Sequence, residues 1–356
     1  MDNIQPYATE AIELLKKLIS TESLSRQEQA AGDIMESFLN EKGLRTNRKG
    51  NNVWVKSSNW DTNKPVILLN SHIDTVKPSS KWTYNPFEPT LQGEVLYGLG
   101  SNDAGGPLVS LLATFLLLTK KEQPYNLIYA ATAEEEVSGK NGVESILNEL
   151  GTINLGIVGE PTQMNMAIAE KGLLVLDCEA VGKSGHAARN EGINAIYKAI
   201  EDIEWFKTFQ FPEVSELFGP VKMSVTQIEA GSQHNVVPDL CKFVVDVRVN
   251  EKYTNIQASE IIKQHVNCTV TPRSTRLNSS NISLDHPVVK RGLSLGRTYY
   301  GSPTTSDQAL MNFTTLKIGP GDSARSHTAD EYIKISEIEE GIGIYYQLLN
   351  NLDLSN

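Results

Sequence analysis

Short apolar runs alternate with helical patterns over roughly the first 165 residues. The runs Val66–Asn70, Leu127–Thr132 and Leu155–Val158 are almost continuously apolar, as expected for strands that are covered on both faces. Pro107–Thr119 has the length of a buried helix and carries a proline in its first turn. This alternation predicts an α/β fold with a largely parallel sheet and helices on both faces.

The pattern changes near residue 170, where a β-α-β-β-α-β order begins. After Leu284 the chain returns to helix, short strand and final helix, and Asn278–Asn281 has the composition of a linker. We therefore predict one α/β domain (residues 1–168 and 279–356) interrupted by an inserted α+β domain (residues 169–278). The predicted elements of the insert are strands at Leu173–Val181, Val221–Ile228, Lys242–Val249 and Cys268–Thr271, and helices at Ile193–Phe209 and Thr254–His265.

The composition excludes several classes of partner. A formal net charge of −11 is unsuited to a nucleic-acid binder, although a few arginines can still make a local site for an anionic substrate. Three widely spaced cysteines without a CxxC pair argue against disulfides and a cysteine zinc site. The start of the chain has the pattern of an amphipathic helix rather than a signal peptide. The apolar run Leu108–Leu118 is too short to span a bilayer. We expect a cytoplasmic protein with no membrane or nucleic-acid partner.

Metal-binding side chains recur in five separate segments, at the end of a predicted strand or in a loop. Taken singly, each has a structural explanation: a hydrogen-bonded histidine, a helix start rich in glutamates, a turn before a proline, or a glycine loop. The glycine loop lacks the lysine of a phosphate-binding loop. The segments are Ser71–Val76, Gly98–Gly106, Ala131–Glu136, Val158–Thr162 and Ser326–Glu331.

The joint occurrence of these segments changes their interpretation. Parallel α/β sheets place ligand sites at the carboxyl ends of their strands, and His72, Glu135, Glu136 and Glu160 all follow predicted strands. Two histidines and several carboxylates without a cysteine form a nitrogen and oxygen donor set that suits zinc or cobalt. The sequence therefore predicts a metal site.

These segments resemble the zinc amidohydrolase family that includes acetylornithine deacetylase, succinyl-diaminopimelate desuccinylase, aminoacylase and glutamate carboxypeptidase. They occur in the same order as in that family, and the resemblance covers nearly the whole chain. The form of Gly159–Thr162 resembles the acetylornithine deacetylase and desuccinylase branch. The other matching positions are His72 and Asp74, Gly98 to Gly106 around Asp103, Glu135 and Glu136, Gly185 and His186, Asn235–Pro238, and Ser326 and His327.

The resemblance implies a centre of two divalent ions, zinc or cobalt. Asp103 would bridge the ions, His72 and Glu160 would complete the first, and Glu136 and His327 would complete the second. With a shared water, each ion would have about four ligands.

The resemblance also assigns the residues that assist the reaction. Glu135 would be the general base that takes a proton from the attacking water. Asp74 would hydrogen-bond the imidazole of His72 and hold its tautomer. The run of three glutamates leaves a one-residue ambiguity, in which Glu134 would be the base and Glu135 the ligand.

By resemblance, the inserted domain completes the active site of a homodimer. His186 would donate to the oxyanion in the other subunit, or it is a surface histidine. Asn235 and Arg248 would contact the substrate, with Arg248 as a carboxylate clamp, or Arg248 is an exposed strand arginine. Lys171 lies in a segment that the family uses near the substrate.

Two further positions have alternative interpretations. Arg276, together with Arg273, would bind a dicarboxylic acyl group such as succinyl, or both are solvated charges of a linker. Asp307 would bind the substrate, or it caps the following helix.

The expected activity is metal-dependent hydrolysis of the amide bond of an N-acyl amino acid. N-acetyl- or N-succinyl-ornithine or -citrulline, in arginine biosynthesis, are the first candidates. A succinyl-diaminopimelate desuccinylase and a dipeptidase are alternatives. A non-catalytic protein that binds amino-acid derivatives is a third, against which the intact ligand set argues.

Overall fold

In the computed structural model, which describes residues 3–354, helices and strands alternate through most of the chain. The helices are α1 (Gln5–Ile19), α2 (Gln29–Glu41), α3 (Gly106–Leu118), α4 (Val143–Leu150), α5 (Ala195–Thr208), α6 (Asn255–Lys263), α7 (Pro287–Ser294) and α8 (Ile335–Leu349). The strands are β1 (Thr46–Lys49), β2 (Asn52–Lys56), β3 (Val66–His72), β4 (Thr90–Gln92), β5 (Val95–Tyr97), β6 (Asn126–Thr132), β7 (Leu155–Val158), β8 (Met166–Glu170), β9 (Gly172–Val181), β10 (Gly185–His186), β11 (Lys222–Ala230), β12 (Val236–Val237), β13 (Leu240–Val249), β14 (Thr269–Pro272), β15 (Ser280–Asn281), β16 (Tyr299–Ser302), β17 (Thr315–Lys317) and β18 (Tyr332–Lys334).

The central sheet has the order β1-β2-β6-β3-β7-β17-β8-β15, with β16 paired to β8. Its middle strands β6, β3, β7 and β17 are parallel, and the flanking strands are antiparallel. Every residue of β3 and β6 is buried, which explains their continuous apolar runs. Helices α1, α2, α3, α7 and α8 pack on one face and α4 on the other. The predicted α/β fold with a largely parallel sheet is confirmed.

Helix α3 lies in the core of this part of the chain, where 12 of its 13 residues are buried. A short helical turn, Ser101–Gly105, precedes it. The combined stretch Ser101–Leu118 is, among the described residues, the one helical stretch long and apolar enough to cross a bilayer, and 89% of it is buried inside the protein. The prediction considered only Leu108–Leu118, which is too short by itself, and the preceding turn brings the helical stretch to 18 residues. A buried core helix has the same composition, so the stretch is weak evidence for a span.

A second compact unit comprises Ala169–Ser280 and Gly301–Thr305. Its antiparallel sheet has the order β11-β13-β9-β14. Buried and partly exposed residues alternate along β9 and β13, and the buried set packs with α5 and α6. The β-α-β-β-α-β order matches the prediction, with an added ribbon of β10 and β12. The role of this unit as a dimerisation domain stays a prediction.

Candidate metal centre

The carboxyl ends of three neighbouring parallel strands supply most of the candidate ligands. His72 is the last residue of β3, Glu135 and Glu136 follow β6, and Glu160 follows β7. These strands lie side by side in the order β6-β3-β7, so the three ends meet at one edge of the sheet. Asp103 lies in the turn before α3, where it and Ala104 have non-helical backbone angles and are joined by a cis peptide bond.

Two groups of three side chains share Asp103. His72, Asp103 and Glu160 form one group, and Asp103, Glu136 and His327 form the other, with one donor atom of each residue within 4.8 Å of the others. The Oδ1 atom of Asp103 lies 3.3 Å from His72 Nε2, and its Oδ2 atom lies 3.6 Å from His327 Nε2. His72 Nε2 is 3.9 Å from Glu160 Oε1, and His327 Nε2 is 2.8 Å from Glu136 Oε2. The two oxygens of one carboxylate thus face two separate donor groups, which is the arrangement that a pair of divalent ions requires.

The cluster carries an excess of negative charge on carboxylates that are largely shielded from water. Burial, followed by the charge of Asp103, raises the pKa of Glu160 to about 8. Burial also raises the pKa of Glu135 well above its usual value, with neighbouring carboxylates adding to the effect. The pKa of Glu136 is raised by burial as well. Carboxylates that repel one another in this way are stabilised by bound cations.

The two histidines respond to the same charges. Burial by itself would lower the pKa of His72, but hydrogen bonds with Asp103 and Asp74 raise it well above 6.5. The hydrogen bond with Glu136 raises the pKa of His327 to about 9. The carboxylates around the two rings therefore favour positive charge at this place, as they would favour bound cations.

Asp74 orients His72 through its backbone. His72 Nδ1 lies 2.9 Å from the carbonyl oxygen of Asp74 and 3.5 Å from its carboxylate Oδ1. The expected contact between carboxylate and imidazole is therefore replaced mainly by a main-chain one. A proton on Nδ1 would leave Nε2 to face Asp103, and the role of Asp74 in holding this tautomer stays a prediction. The carboxylate of Asp74 instead accepts the backbone N–H groups of Glu135 at 3.0 Å and Glu136 at 3.2 Å.

The three consecutive glutamates face different partners. Glu134 has a positive φ of 57°, and its carboxylate accepts hydrogen bonds from the side chain of Asn141 at 2.9 Å and its backbone N–H at 3.3 Å. Glu135 Oε2 lies 3.9 Å from His72 Nε2, whereas Glu136 contacts His327. This geometry favours Glu135 and Glu136, rather than Glu134 and Glu135, as the base and the ligand.

Asp307 lies beside the cluster in a buried hydrogen-bond network. Its Oδ2 accepts from Asn70 Nδ2 at 2.9 Å and from Thr132 Oγ1 at 3.0 Å. Burial raises the pKa of Asp307 to about 6, and its charge helps to raise the pKa of Glu135. The following turn is capped by the hydroxyl of Ser306, so the interpretation of Asp307 as the cap is wrong.

The remaining predicted residues belong to the second unit, where the structure brings two of them together. His186 on β10 pairs with Val236, and the carbonyl of Asn235 accepts the N–H of Ala187 at 3.0 Å. The side chain of His186 is exposed. Its Nδ1 accepts the N–H of Ala188 at 3.1 Å.

The cationic residues of that unit that were predicted to contact the substrate already have partners within the protein. Arg248 donates from Nε at 2.8 Å and Nη2 at 3.1 Å to the carboxylate of Asp246. The ammonium of Lys171 lies 5.6 Å from the ring centroid of Phe218. Arg276 is half-buried between β14 and β15. A substrate carboxylate would therefore have to compete with Asp246 for Arg248.

Glu331 ends the fifth segment, Ser326–Glu331, but no role was predicted for it, and it is only 2% exposed. Its carboxylate accepts the backbone N–H groups of Gly100 at 3.1 Å, Asn102 at 2.8 Å and Asp103 at 2.9 Å. Burial raises its pKa to about 8. The only indication of a role for Glu331 in the sequence was its position four residues after His327. Its hydrogen-bond partners are more than 200 positions away along the chain, so no local pattern shows them.

Comparisons with known proteins agree with this geometry. Residues 68–351 match the model of peptidase family M20/M25/M40. The chain is 26% identical to a succinyl-diaminopimelate desuccinylase of Orientia tsutsugamushi, over 97% of each chain. It is 29% identical to a LysW-lysine/LysW-ornithine hydrolase of Sulfurisphaera tokodaii, over 96% of this chain and 95% of the relative.

Solved structures share the fold at low sequence identity. Aminopeptidase PepT of Bacillus cereus superposes with a TM-score of 0.76 at 16% identity, covering 96% of this chain and 98% of the other. The Bacillus subtilis YXEP protein, described as a dinuclear metal-binding peptidase of the M20 family, has a TM-score of 0.73 at 16% identity, with 97% and 98% covered. The predicted family is confirmed: the chain belongs to peptidase family M20/M25/M40.

Proposed function

We propose that this protein is a two-metal amidohydrolase that removes the acyl group from an N-acyl amino acid. N-acetyl- or N-succinyl-ornithine or -citrulline are the proposed substrates, in arginine biosynthesis. The observation that carries the proposal is the pair of donor groups that share the two oxygens of Asp103. Their imidazole and carboxylate donors fit zinc, or cobalt, without any cysteine.

Each side chain then has a defined task. His72 and Glu160 would hold one ion, Glu136 and His327 the other, and Asp103 both. When bound, two such ions supply Lewis acidity that lowers the pKa of water toward about 7 and polarises a carbonyl. Glu135 belongs to neither donor group, so its carboxylate is available to take the proton of the attacking water and pass it to the departing amine.

His186 is the proposed donor to the oxyanion of the tetrahedral intermediate. Its Nδ1 accepts a backbone N–H, so the neutral ring carries its proton on Nε2, in a side chain that is exposed. We infer that the second unit forms a homodimer in which His186 serves the partner's active site. Asn235, Arg248, Lys171, Arg276 and Asp307 are the proposed substrate contacts.

The names of the relatives support hydrolysis of an acylated amino acid. One is a desuccinylase and another a LysW-lysine/LysW-ornithine hydrolase. A succinyl-diaminopimelate desuccinylase is the second candidate, because five relatives of this chain carry that name.

A substrate screen with the zinc-loaded full chain tests the proposal. The panel contains N-acetyl- and N-succinyl-ornithine, the same two derivatives of citrulline, N-succinyl-diaminopimelate and a dipeptide. We expect two zinc equivalents per chain and the highest kcat/KM on an ornithine or citrulline derivative. Preference for N-succinyl-diaminopimelate would favour the second candidate, and metal-loaded protein inert toward the whole panel would overturn both.

A further inference from the structure

Three consecutive peptide N–H groups, those of Glu134, Glu135 and Glu136, each donate to a buried carboxylate. Glu134 donates to Glu28 Oε1 at 3.2 Å. Glu135 and Glu136 donate to the two oxygens of Asp74 at 3.0 and 3.2 Å. The main chain that carries the proposed base and ligand is thus fixed at three successive peptide planes.

Glu28 comes from a distant part of the chain and is fully buried. Its carboxylate also accepts hydrogen bonds from the backbone N–H of Arg26 and from Asn51 Nδ2, the latter at 2.8 Å. Its donors are therefore two peptide N–H groups and one amide, all of them neutral. A buried carboxylate is costly, and neutral hydrogen bonds are the means by which this one is compensated.

Ser25 joins the same segment to Asp74. Its hydroxyl donates to Asp74 Oδ2 at 2.8 Å. The main chain beside it is bonded to Thr75, through Thr75 N–H to the Ser23 carbonyl at 2.9 Å and Ser25 N–H to the Thr75 carbonyl at 3.2 Å. We call Ser23–Glu28 the strap, because it supplies one of the two carboxylates that hold the glutamate run, that of Glu28, and contacts the other, that of Asp74.

The conformation of the run explains why such support matters. Glu134 adopts a left-handed conformation with φ of 57°, which is costly for a residue with a side chain. Its side chain is packed against Gly139, where an added Cβ would lie 1.9 Å from Glu134 Oε2. A small rotation of this peptide would swing the carboxylates of both Glu135 and Glu136, and displacements of about 1 Å at a reacting group cost about 100-fold in rate.

We propose that Glu28 and Ser25 are positioning residues, which hold Glu135 and Glu136 at the metal centre through the backbone of the glutamate run. This inference rests on the function proposed above for those two residues. It gives the strap a role in metal affinity and turnover, beyond its contribution to the stability of the loop.

The test compares Glu28→Ala with Glu28→Gln in the full chain, with Glu22→Ala as the matched control. Glu22 lies in the segment before the strap and is exposed. Zinc affinity is measured by competition with a chromophoric chelator. Exchange of the Glu134 amide is followed by NMR of protein labelled with 15N-glutamate, and kcat and KM are measured on the best substrate of the panel.

We expect Glu28→Ala to weaken one of the two zinc equivalents, the one that Glu136 would help to bind, by about 10–100-fold. Its kcat should fall by a similar factor with little change in KM, and the Glu134 amide should exchange faster. Glu28→Gln retains an oxygen for that N–H, and Asn51 can turn its amide so that its oxygen accepts from the new NH2 group. This variant should therefore stay near the wild-type values, as should Glu22→Ala. The idea is overturned if Glu28→Ala lowers only the thermal midpoint, or if Glu28→Gln is as damaging as Glu28→Ala.

Ser25→Ala provides a second variant should Glu28→Ala fail to fold, because it removes one hydroxyl and leaves the buried carboxylates in place. We expect a smaller loss of kcat and of affinity for the same zinc equivalent, recovered in Ser25→Thr. Unchanged zinc affinity and kcat in Ser25→Ala would contradict the role of the strap. If the wild-type protein hydrolyses nothing on the panel, the proposed function fails, while zinc affinity and amide exchange still decide the inference about the strap.

Discussion

Glu135 and Glu136 are neighbours in the chain, but their carboxylates meet different partners. Glu136 contacts His327, which shares a donor group with it, while Glu135 belongs to neither donor group. A carboxylate close to a metal pair and outside its donor groups is suited to accept and return a proton. A shift of one position along the chain therefore separates the proposed base from the proposed ligand.

Glu135→Gln tests this assignment. We expect the variant to retain both zinc equivalents and to lose about 10²–10⁴-fold in kcat, because the amide has the shape of the carboxylate but takes up no proton. Zinc analysis and steady-state kinetics measure the two effects. Glu134→Gln is the matched control, and a larger loss of kcat there than in Glu135→Gln would move the base one residue earlier.

Arg276 bears on the choice of acyl group. If its guanidinium binds a succinyl carboxylate, Arg276→Ala should lower kcat/KM more for N-succinyl- than for N-acetyl-ornithine, since only the former has the second carboxylate. Arg273, the second arginine of the sequence-based hypothesis, is exposed and paired with Asp177, so we leave it out of the proposed pocket and use Arg273→Ala as the control. Equal losses on both substrates would remove the reason to assign Arg276 to a succinyl pocket.

Glu331 supports Asp103 by accepting three backbone N–H groups of its loop. In Glu331→Ala these buried groups lose their acceptor, which costs about 1–3 kcal/mol for each one left unsatisfied. We expect a lower free energy of unfolding for the metal-free variant, measured with denaturant, and weaker binding of both zinc ions. Loss of stability with unchanged zinc affinity would show that the loop keeps its shape without this carboxylate.

At the level of secondary structure, the parts that could be predicted are those with a periodic or continuous pattern. Each of the strands β3, β6 and β7 has an apolar run with a metal-binding side chain at or just after its end: His72, the glutamate run and Glu160, respectively. The ends of these strands, and the edge of the sheet at which they meet, could therefore be predicted from the sequence. The roles of Asp103 and His327 came from resemblance, since neither follows a strand of the parallel core.

Other features depend on contacts that no local pattern encodes. The ribbon of β10 and β12 has two residues in each strand, too few for alternation to appear. Glu28 and Glu331 are buried carboxylates, and a glutamate in a polar segment is ordinarily a surface residue. Glu28 reaches the glutamate run over 106 positions, and the backbone partners of Glu331 lie 228 or more positions away, so only the folded chain identifies these contacts.

The β10–β12 ribbon carries His186, and its proposed action in a partner subunit is testable. His186→Ala should lower kcat while both zinc equivalents remain, because the residue is outside the donor groups. His234→Ala, an exposed histidine of the same unit, is the control. Mixing His186→Ala with Glu135→Gln should restore about a quarter of wild-type activity, since half of the dimers would be mixed and each would have one intact site. No recovery after demonstrated subunit exchange would place His186 in its own subunit's site or outside catalysis.

For the molecule as a whole, the metal centre concentrates buried acids that destabilise the metal-free fold. Burial raises the pKa of Glu160 and of Glu331 from 4.5 to about 8. A carboxyl group with a raised folded-state pKa binds its proton more tightly when folded, so its contribution to stability is complete at low pH and is lost as the pH rises from about 4.5 to about 8. His327, with a pKa raised to about 9, loses its contribution in the same direction between pH 6.5 and about 9.

The metal-free protein should therefore lose stability between about pH 5 and pH 8, and zinc should reverse that loss by replacing the protons with ions. Thermal unfolding with zinc and with a chelator, at pH 6, 7 and 8, measures the effect as the difference between the two Tm values. We expect this difference to grow with pH, since zinc also binds more tightly as its ligands lose their protons. In metal-free Glu160→Gln the fall in Tm with pH should be smaller, because one of the titrating acids is gone. A metal-free Tm that stays level or rises over this range would mean that Glu160, Glu331 and His327 are not held together by the fold as the structure has them.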